Sequence, residues 1–413
     1  MRSIAGVCCA GALALGLAAC SGEAVPAPEE PTPLHKAAPG PWIPGFVADM
    51  SEAAEVGQLF VPSVGGRAHA LALIARYHVG GFVYGTGETR SPEQTARLSN
   101  ALQDASDLPL LIGLGEPAAG SYFTPLPGDQ AIAADRSAAD ARAIAKVTMT
   151  EGHAVGITPG YGPVTGDGAL HLARGRKLRA DGAVRAVRDG ADQLIDAPDL
   201  PRTYKAVLTA VEKGTISQHR LDEAVIRVLR LKQARGLFGD TMADPRRAGS
   251  VVGSPGNRAV ARQVAEHAVT LVRNDPPDGR PSPLLPLGSA KVFLTGAAAD
   301  KVATALRKAG LHLAKSPRQA DVAVLTTRDA KHDIGSKVRS LDRSAPVIVI
   351  ALGDPADLAG ARNATSAIAA YGDDPASLSA VAGVLTGTVR PEGHLPIAIR
   401  GAYPKGHGLS LPT

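Results

Sequence analysis

From residue 46 onward, short apolar runs bounded by glycines alternate with amphipathic stretches, and this alternation constrains the fold more than any other feature. A short apolar run reads as a strand covered on both faces. An apolar stripe at helical spacing reads as a helix laid over it. Strands are expected at Gly57–Val61, Gly80–Tyr84, Leu108–Leu114, Ala154–Ile157 and Gly190–Ile195. Helices are expected over Ala70–Tyr77, after Ser91, over Ala138–Glu151 and over His219–Arg235. Ser91-Pro92-Glu93-Gln94 is a capping box with proline at the first helical position, followed by an expected buried stripe of Leu98, Ala101, Leu102 and Ala105. Leu221, Val225, Val228 and Leu229 share one face of the helix that stops at Gly236. Residues 241–257 are rich in Pro, Gly, Ser and Arg and read as a linker. Beyond it, residues 258–413 repeat the alternation, with strands at Lys291–Thr295, Val322–Leu325, Val347–Leu352 and Ile368–Tyr371. Helices near Asp300–Ala309, Ser336–Leu341 and Pro375–Leu385 separate them. Such patterns imply parallel sheets, as a barrel or as an open three-layer sandwich.

Residues 1–19 have a different character. Arg2 precedes an apolar stretch, Ile4–Leu17, that is too short to span a bilayer. Leu17-Ala18-Ala19-Cys20 follows and resembles the lipobox of bacterial lipoproteins, which implies removal of residues 1–19 and acylation of Cys20. The expected result is an extracytoplasmic protein anchored to the cell membrane through lipid. Residues 20–45 hold Pro26, Pro28, Pro31, Pro33, Pro39, Pro41 and Pro44, a stiff tether. All three cysteines (Cys8, Cys9, Cys20) lie within the first twenty residues, which excludes disulfides, a cysteine nucleophile and cysteine-ligated zinc from the body. A net charge of +5 is scattered without basic–aromatic alternation, so no nucleic-acid partner is expected. No phosphate loop and no closely spaced histidine pair is present, so neither cofactor nor metal is expected.

Several segments together resemble glycoside hydrolase family 3, in its bacterial β-N-acetylhexosaminidase branch. "EVGQLFVPSVGG" (Glu55–Gly66) is similar to the first strand of that family, and "IARYHVGGFVYGTGETRSPEQTARLSNALQ" (Ile74–Gln103) to its second strand and helix. "AVRDGADQLIDAPD" (Ala186–Asp199) and "AVEKGTISQHRLDEAVIRVLRLKQARGLF" (Ala210–Phe238) resemble the end of its barrel domain. "PVIVIALGDPADLAG" (Pro346–Gly360), "AAYGDDPASLSAVAGVLTG" (Ala369–Gly387) and "PEGHLPIAI" (Pro391–Ile399) resemble its C-terminal sandwich domain. The resemblance implies action on O-glycosidic bonds of β-linked N-acetylglucosaminides, with a carbohydrate or peptidoglycan fragment as partner.

The departures shape the expectation. Residues 46–240 number 195, whereas a (β/α)₈ barrel takes about 250 and rarely fewer than 200. The shortage falls between Ile157 and Val187. There the branch carries its histidine acid/base loop and its aspartate nucleophile, and neither has a counterpart here. Where the family has an aspartate that holds sugar hydroxyls, this chain has Gly115. The expected fold is therefore α/β: a shortened or incomplete (β/α)₈-type barrel with fewer than eight strands, then an α/β three-layer sandwich. The expected function is a cell-surface lipoprotein of the family 3 type with little or no hydrolysis, or alternatively a non-catalytic glycan-binding or scaffolding lipoprotein.

Within that frame Glu116, at the end of the third expected strand, and Asp167 and His171, four apart in the shortened loop, are the catalytic candidates. Tyr84, Tyr161 and Asp192 are the substrate-binding candidates, the tyrosines as stacking platforms. His332 and Asp333 follow a strand of the second unit and read as a solvated loop, and Asp354-Pro355 reads as a cap for the next helix. The lipobox generates a direct test. Cys20→Ala is expected to abolish globomycin-sensitive processing and membrane retention, read by membrane fractionation; unchanged cleavage and retention would refute acylation.

Overall fold

The computed structural model describes residues 42–85, 87–115, 122–158, 170–175, 178–328 and 333–411; the leader and residues 20–41 lie outside them. The last residues of the expected tether are folded instead, since Pro44 fits the first turn of a helix, Ile43–Ala48, whose Ile43 is buried. Among the described residues no helix is long and apolar enough to cross a membrane.

The first lobe is built on five short strands, β1 (Phe60–Val61), β2 (Gly81–Tyr84), β3 (Leu111–Leu114), β4 (Leu172–Arg174) and β5 (Gln193–Ile195). β4, β5 and β1 pair in that order, and β2 pairs with β3, all in parallel. A parallel Ser63–Val83 bridge joins the two groups, so the strands run β4-β5-β1-β2-β3. Beyond β3, Thr158 donates its N–H to the Ile112 carbonyl at 2.8 Å. Among the described residues this is an open parallel sheet, and no pairing links β4 to that far edge.

Three expectations shift. Gly57 and Gln58 belong to a helix, Glu52–Gln58, because the Ser51 side chain caps it by accepting the Ala54 N–H; the strand keeps only Phe60 and Val61. Ala154–Ile157 is not a strand: the preceding helix runs Ala138–Ala154, and Gly156 then turns the chain at φ +71. Only glycine fits there, since a Cβ would sit 2.6 Å from that of Ser99. The helix Pro92–Asp104 starts as expected, with the Ser91 hydroxyl accepting the Gln94 N–H at 3.3 Å. Its buried face, however, is Thr95, Ala96, Ser99 and Leu102, and Ala105 is exposed. Short hydroxyl side chains occupy that face because they find partners inside: Tyr84 Oη lies 3.2 Å from Ser99 Oγ.

The stretch expected as a linker contains a helix, Pro245–Val251, capped by Asp244. Asn100 and Ala243 exchange two hydrogen bonds of 2.9 Å, fastening it to the helix Pro92–Asp104. Backbone amides satisfied in this way hold the segment against the first lobe, whatever its composition.

The second lobe begins with the helix Pro255–Ala268 and a six-stranded sheet: β6 (Thr270–Asn274), β7 (Lys291–Gly296), β8 (His312–Leu313), β9 (Val322–Thr327), β10 (Val347–Ala351) and β11 (Ser366–Ala369). The order is β6-β11-β10-β9-β7-β8, parallel except for β6. β9, β10 and β11 are buried throughout. Ala261, Val302, Leu306, Val381 and Leu385 cover one face, while Ile334, Val338 and Leu358 cover the other. This is the expected three-layer arrangement.

One buried charge sits beneath the first sheet. Lys232, on the helix Gln218–Ala234, is fully enclosed and donates to Gln58 Oε1 at 2.6 Å; Gln58 Nε2 in turn donates to the His78 carbonyl at 2.8 Å. Burial pulls the Lys232 ammonium down from 10.5 to about 7. Glu55, one turn before Gln58, is pushed up from 4.5 to about 7 by burial first and then by the Asp222 carboxylate beside it. The two act in opposite windows. The stability associated with neutral Lys232 is complete above pH 10.5 and is lost as pH falls through about 7. That associated with protonated Glu55 is complete below pH 4.5 and is lost as pH rises through about 7. Both penalties therefore meet near neutrality. Lys232→Met is expected to flatten the alkaline limb, which otherwise rises by on the order of 4 kcal/mol, in urea unfolding measured from pH 7 to 10. An unchanged limb would show that Lys232 is not its source.

Candidate functional site

In parallel α/β lobes the loops leaving the C-terminal strand ends carry chemistry. β1 and β5 are neighbours, with Val61 opposite Ile195. The chain leaves β1 through Pro62-Ser63 and leaves β5 through Asp196-Ala197-Pro198-Asp199. The Ser63 hydroxyl donates to Asp196 Oδ1 at 2.6 Å, and the Asp196 N–H donates to the Val61 carbonyl at 3.1 Å. Asp196 and Asp199 both have positive φ, +52 and +51, a conformation strained for non-glycine residues by about 1 kcal/mol or more. Asp199 is a helix cap, accepting the Arg202 N–H at 3.3 Å. Asp196 caps nothing and is exposed.

At the end of β2, Glu88 turns into its own loop and accepts the Gly85 N–H at 2.9 Å, while Thr95 Oγ1 donates to the Glu88 carbonyl at 2.8 Å. At the end of β3, Gly115 extends the pairing by donating to the Tyr84 carbonyl at 2.8 Å. Leu114 beside it is 39% exposed. The described strand ends thus present two exposed carboxylates, Asp196, bonded to the Ser63 hydroxyl, and Asp199, engaged as a helix cap, with Leu114 partly exposed nearby.

The residues singled out in the sequence distribute differently. Glu116, Tyr161, Asp167 and His332 lie outside the described residues. His171 and Asp192 do come together: the His171 N–H donates to Asp192 Oδ2 at 3.0 Å, and its Nδ1 lies 3.6 Å from the same oxygen. They meet at the N-terminal ends of β4 and β5, away from the strand ends that carry Asp196. Asp192 has no exposed surface. Its Oδ1 accepts from Arg220 Nη2 at 3.0 Å and from Arg227 Nε and Nη2 at 3.0 and 2.9 Å. Arg220 also ties down the Val187 and Ala191 carbonyls. Asp192 therefore holds strand to helix and has no atom to offer a sugar.

Tyr84 is likewise fully buried, and burial pushes its phenol well above the usual range; it offers no stacking face. Asp333 caps the helix Ile334–Asp342, and its hydrogen bonds to Ser336 hold its carboxyl below the usual range. Asp354 caps the next turn through the Ala356 N–H at 2.8 Å. Asp196 was not singled out in the sequence. The available signal was an acid placed directly after a buried strand and before a proline turn. A separate group, Asp135, Asp140 and His267, offers metal-ligating atoms between the lobes.

With this geometry in view, the likenesses to other proteins are specific. Residues 53–169 match the Glycosyl hydrolase family 3 N terminal domain. A beta-N-acetylglucosaminidase/beta-glucosidase of Cellulomonas fimi is 33% identical over 98 residues, 24% of this chain and 17% of that protein. A periplasmic beta-glucosidase/beta-xylosidase of Dickeya chrysanthemi is 29% identical over 173 residues, 42% of this chain and 24% of that protein. The matched stretches thus span less than a third of either relative. Among solved structures, a glycoside hydrolase family 3 beta-N-acetylglucosaminidase from Paenibacillus sp. str. FPU-7 superposes with a TM-score of 0.69 at 18% identity, covering 85% of this chain and 99% of that one. The beta-glucoside phosphorylase BglX bound to 2FGlc gives 0.66 at 15%, covering 87% and 96%. The fold is that of family 3 glycosidases, and the chain is related to them in sequence through its first lobe.

The Asp192 assignment has a measurable consequence. Asp192→Ala leaves Arg220 and Arg227 with only Glu223, about 4 Å from each, as counter-charge and is expected to destabilise the protein by about 3 kcal/mol in urea unfolding. A change within 0.5 kcal/mol, as at an ordinary surface site, would contradict the anchoring role.

Proposed function

We propose that this protein is a lipid-anchored extracytoplasmic member of the family 3 glycosidase type that engages β-linked N-acetylglucosaminide fragments and hydrolyses them slowly or not at all. The glycosidase relationship rests on the matched first lobe and the shared fold. The substrate class is carried over from the named relatives, and the anchor from the lipobox at Cys20.

The observation that carries the reading is the chemistry of the described strand ends. Retaining hydrolysis needs a nucleophile and an acid/base flanking the scissile bond, about 5 Å apart. At those ends Asp196 is exposed without a capping role, Asp199 is engaged as a helix cap and Glu88 is folded into its own loop; the family resemblance implies that Gly115 stands where a sugar-holding aspartate would be. Removing a catalytic group commonly raises the barrier by several kcal/mol. Among the described residues, an acid that caps nothing with a serine hydroxyl on it suits hydrogen bonding to sugar hydroxyls better than displacement at an anomeric carbon.

The test is release of 4-nitrophenol from 4-nitrophenyl β-N-acetylglucosaminide by the mature protein, run beside Glu116→Gln, Asp167→Asn and Asp196→Asn. Turnover at the background rate in all four is expected, together with chitobiose binding that weakens at least threefold in Asp196→Asn. Robust wild-type turnover abolished by any one substitution would establish a working catalytic pair and overturn the degenerate reading.

A further inference from the structure

The group between the lobes stands apart from the strand ends and from any assumption about sugar. Asp135 is the last residue of the helix Asp129–Asp135. Asp140 lies in the first turn of the helix Ala138–Ala154, and His267 in the last turn of the helix Pro255–Ala268. His267 Nδ1 is 2.6 Å from Asp140 Oδ2 and 3.9 Å from Asp135 Oδ1. One ligand atom from each of the three lies within 4.8 Å of the others.

The surroundings favour a cation. The Asp135 side chain is only 3% exposed, yet its Oδ2 is enclosed without a hydrogen-bond donor. Such an oxygen costs about 1–3 kcal/mol unless something compensates it. Asp140 is more fully engaged: Gln263 Nε2 donates to its Oδ1 at 2.9 Å, and His267 holds Oδ2. Glu392 is near enough to act electrostatically on both Asp135 and His267. Two carboxylates therefore face one imidazole, and the exposed Glu392 adds negative potential. The helices Asp129–Asp135 and Pro255–Ala268 bring their negative C-terminal ends to the cluster, against the positive N-terminal end of the helix Ala138–Ala154 that carries Asp140.

We propose that Asp135, Asp140 and His267 bind one divalent first-row cation, with Zn²⁺ as the best-suited ion, and that it clips the two lobes together. One imidazole nitrogen and two carboxylate oxygens form a borderline donor set that suits zinc and its neighbours better than Ca²⁺ or Mg²⁺. Bonds of about 2.0–2.2 Å in a tetrahedral site set ligand atoms about 3.4 Å apart, so on binding His267 Nδ1 and Asp140 Oδ2 must open from 2.6 Å and Asp135 Oδ1 must close on His267 from 3.9 Å. His267 would exchange its hydrogen bond to Asp140 for the metal, and Asp135 Oδ2 would gain the charge it faces without a donor. Water fills the remaining positions. Asp135 and His267 are 132 positions apart, and no local spacing motif announces such a set.

The experiment uses the full chain stripped with a chelator and titrated with Zn²⁺. Calorimetry is expected to give one site in wild type. The thermal midpoint is expected to rise by about 5 °C at roughly a hundredfold excess over the dissociation constant. Asp135→Asn, nearly isosteric, and His267→Gln should fold yet lose that site and its thermal shift. Absence of binding in wild type, or equal binding in wild type and both variants, would overturn the site and leave the two aspartates sharing a proton. An equal thermal response to Ca²⁺ would overturn the assignment to a nitrogen-binding metal.

Discussion

The two lobes are held in register by one buried carboxylate. Glu151, 3% exposed on the helix Ala138–Ala154, accepts the Thr124 N–H and hydroxyl, the Gly253 N–H and an amide proton of Asn257. A carboxylate taken out of water needs that many donors, and these come from two stretches of chain far apart in sequence, Thr124 and Gly253–Asn257. Two lie beyond the helix Pro245–Val251, at the start of the second lobe. Apolar packing tolerates sliding, whereas an acid with four donors does not. The relative placement of the lobes is therefore set by directional polar contacts, with Gln263 and His267 on Asp140 acting from the next turns of the same interface.

Stability and chemistry fall on opposite ends of the first sheet. At the N-terminal strand ends, Asp192 gathers Arg220 and Arg227 and fastens β5 to the helix behind it. At the C-terminal ends the chain accepts positive φ at Asp196 and leaves Leu114 and Asp196 toward solvent. Strained, exposed residues persist there because the buried cross-braces at the other end hold the strands. This division is general for parallel α/β lobes, and it survives here although the described strands number five.

How much of this was readable in advance depended on whether one local signal sufficed. Ser91-Pro92 announced its helix, and the apolar runs announced β2, β3, β5, β9 and β10, because capping and double-sided burial act within a few residues. β4 was not readable: Leu172–Arg174 is short and half-exposed, with no apolar run. β6 escaped because no glycine separates it from the helix before it, and its antiparallel partner is some ninety residues away. Ala154–Ile157 misled because the apolar end of a helix looks like a strand. Thr95 and Ser99 misled in the opposite sense, being polar yet interior. At the candidate site the sequence identified Asp192 and His171 as chemically capable but could not say which end of the strands they occupy. That depends on strand polarity and register, which only the paired sheet defines.

The contacts that fasten the lobes have an evolutionary consequence. Thr124, Asp140 and Glu151 precede the short stretch after Thr158, and Gly253, Asn257 and His267 follow it. Among the described residues, none of the bonds named in that interface comes from between Thr158 and the helix Ala180–Arg188. Ahead of β4, which the sheet fixes, length in that interval is therefore only weakly constrained by the joint: a lineage can shorten or lengthen it there without touching the named contacts between the lobes.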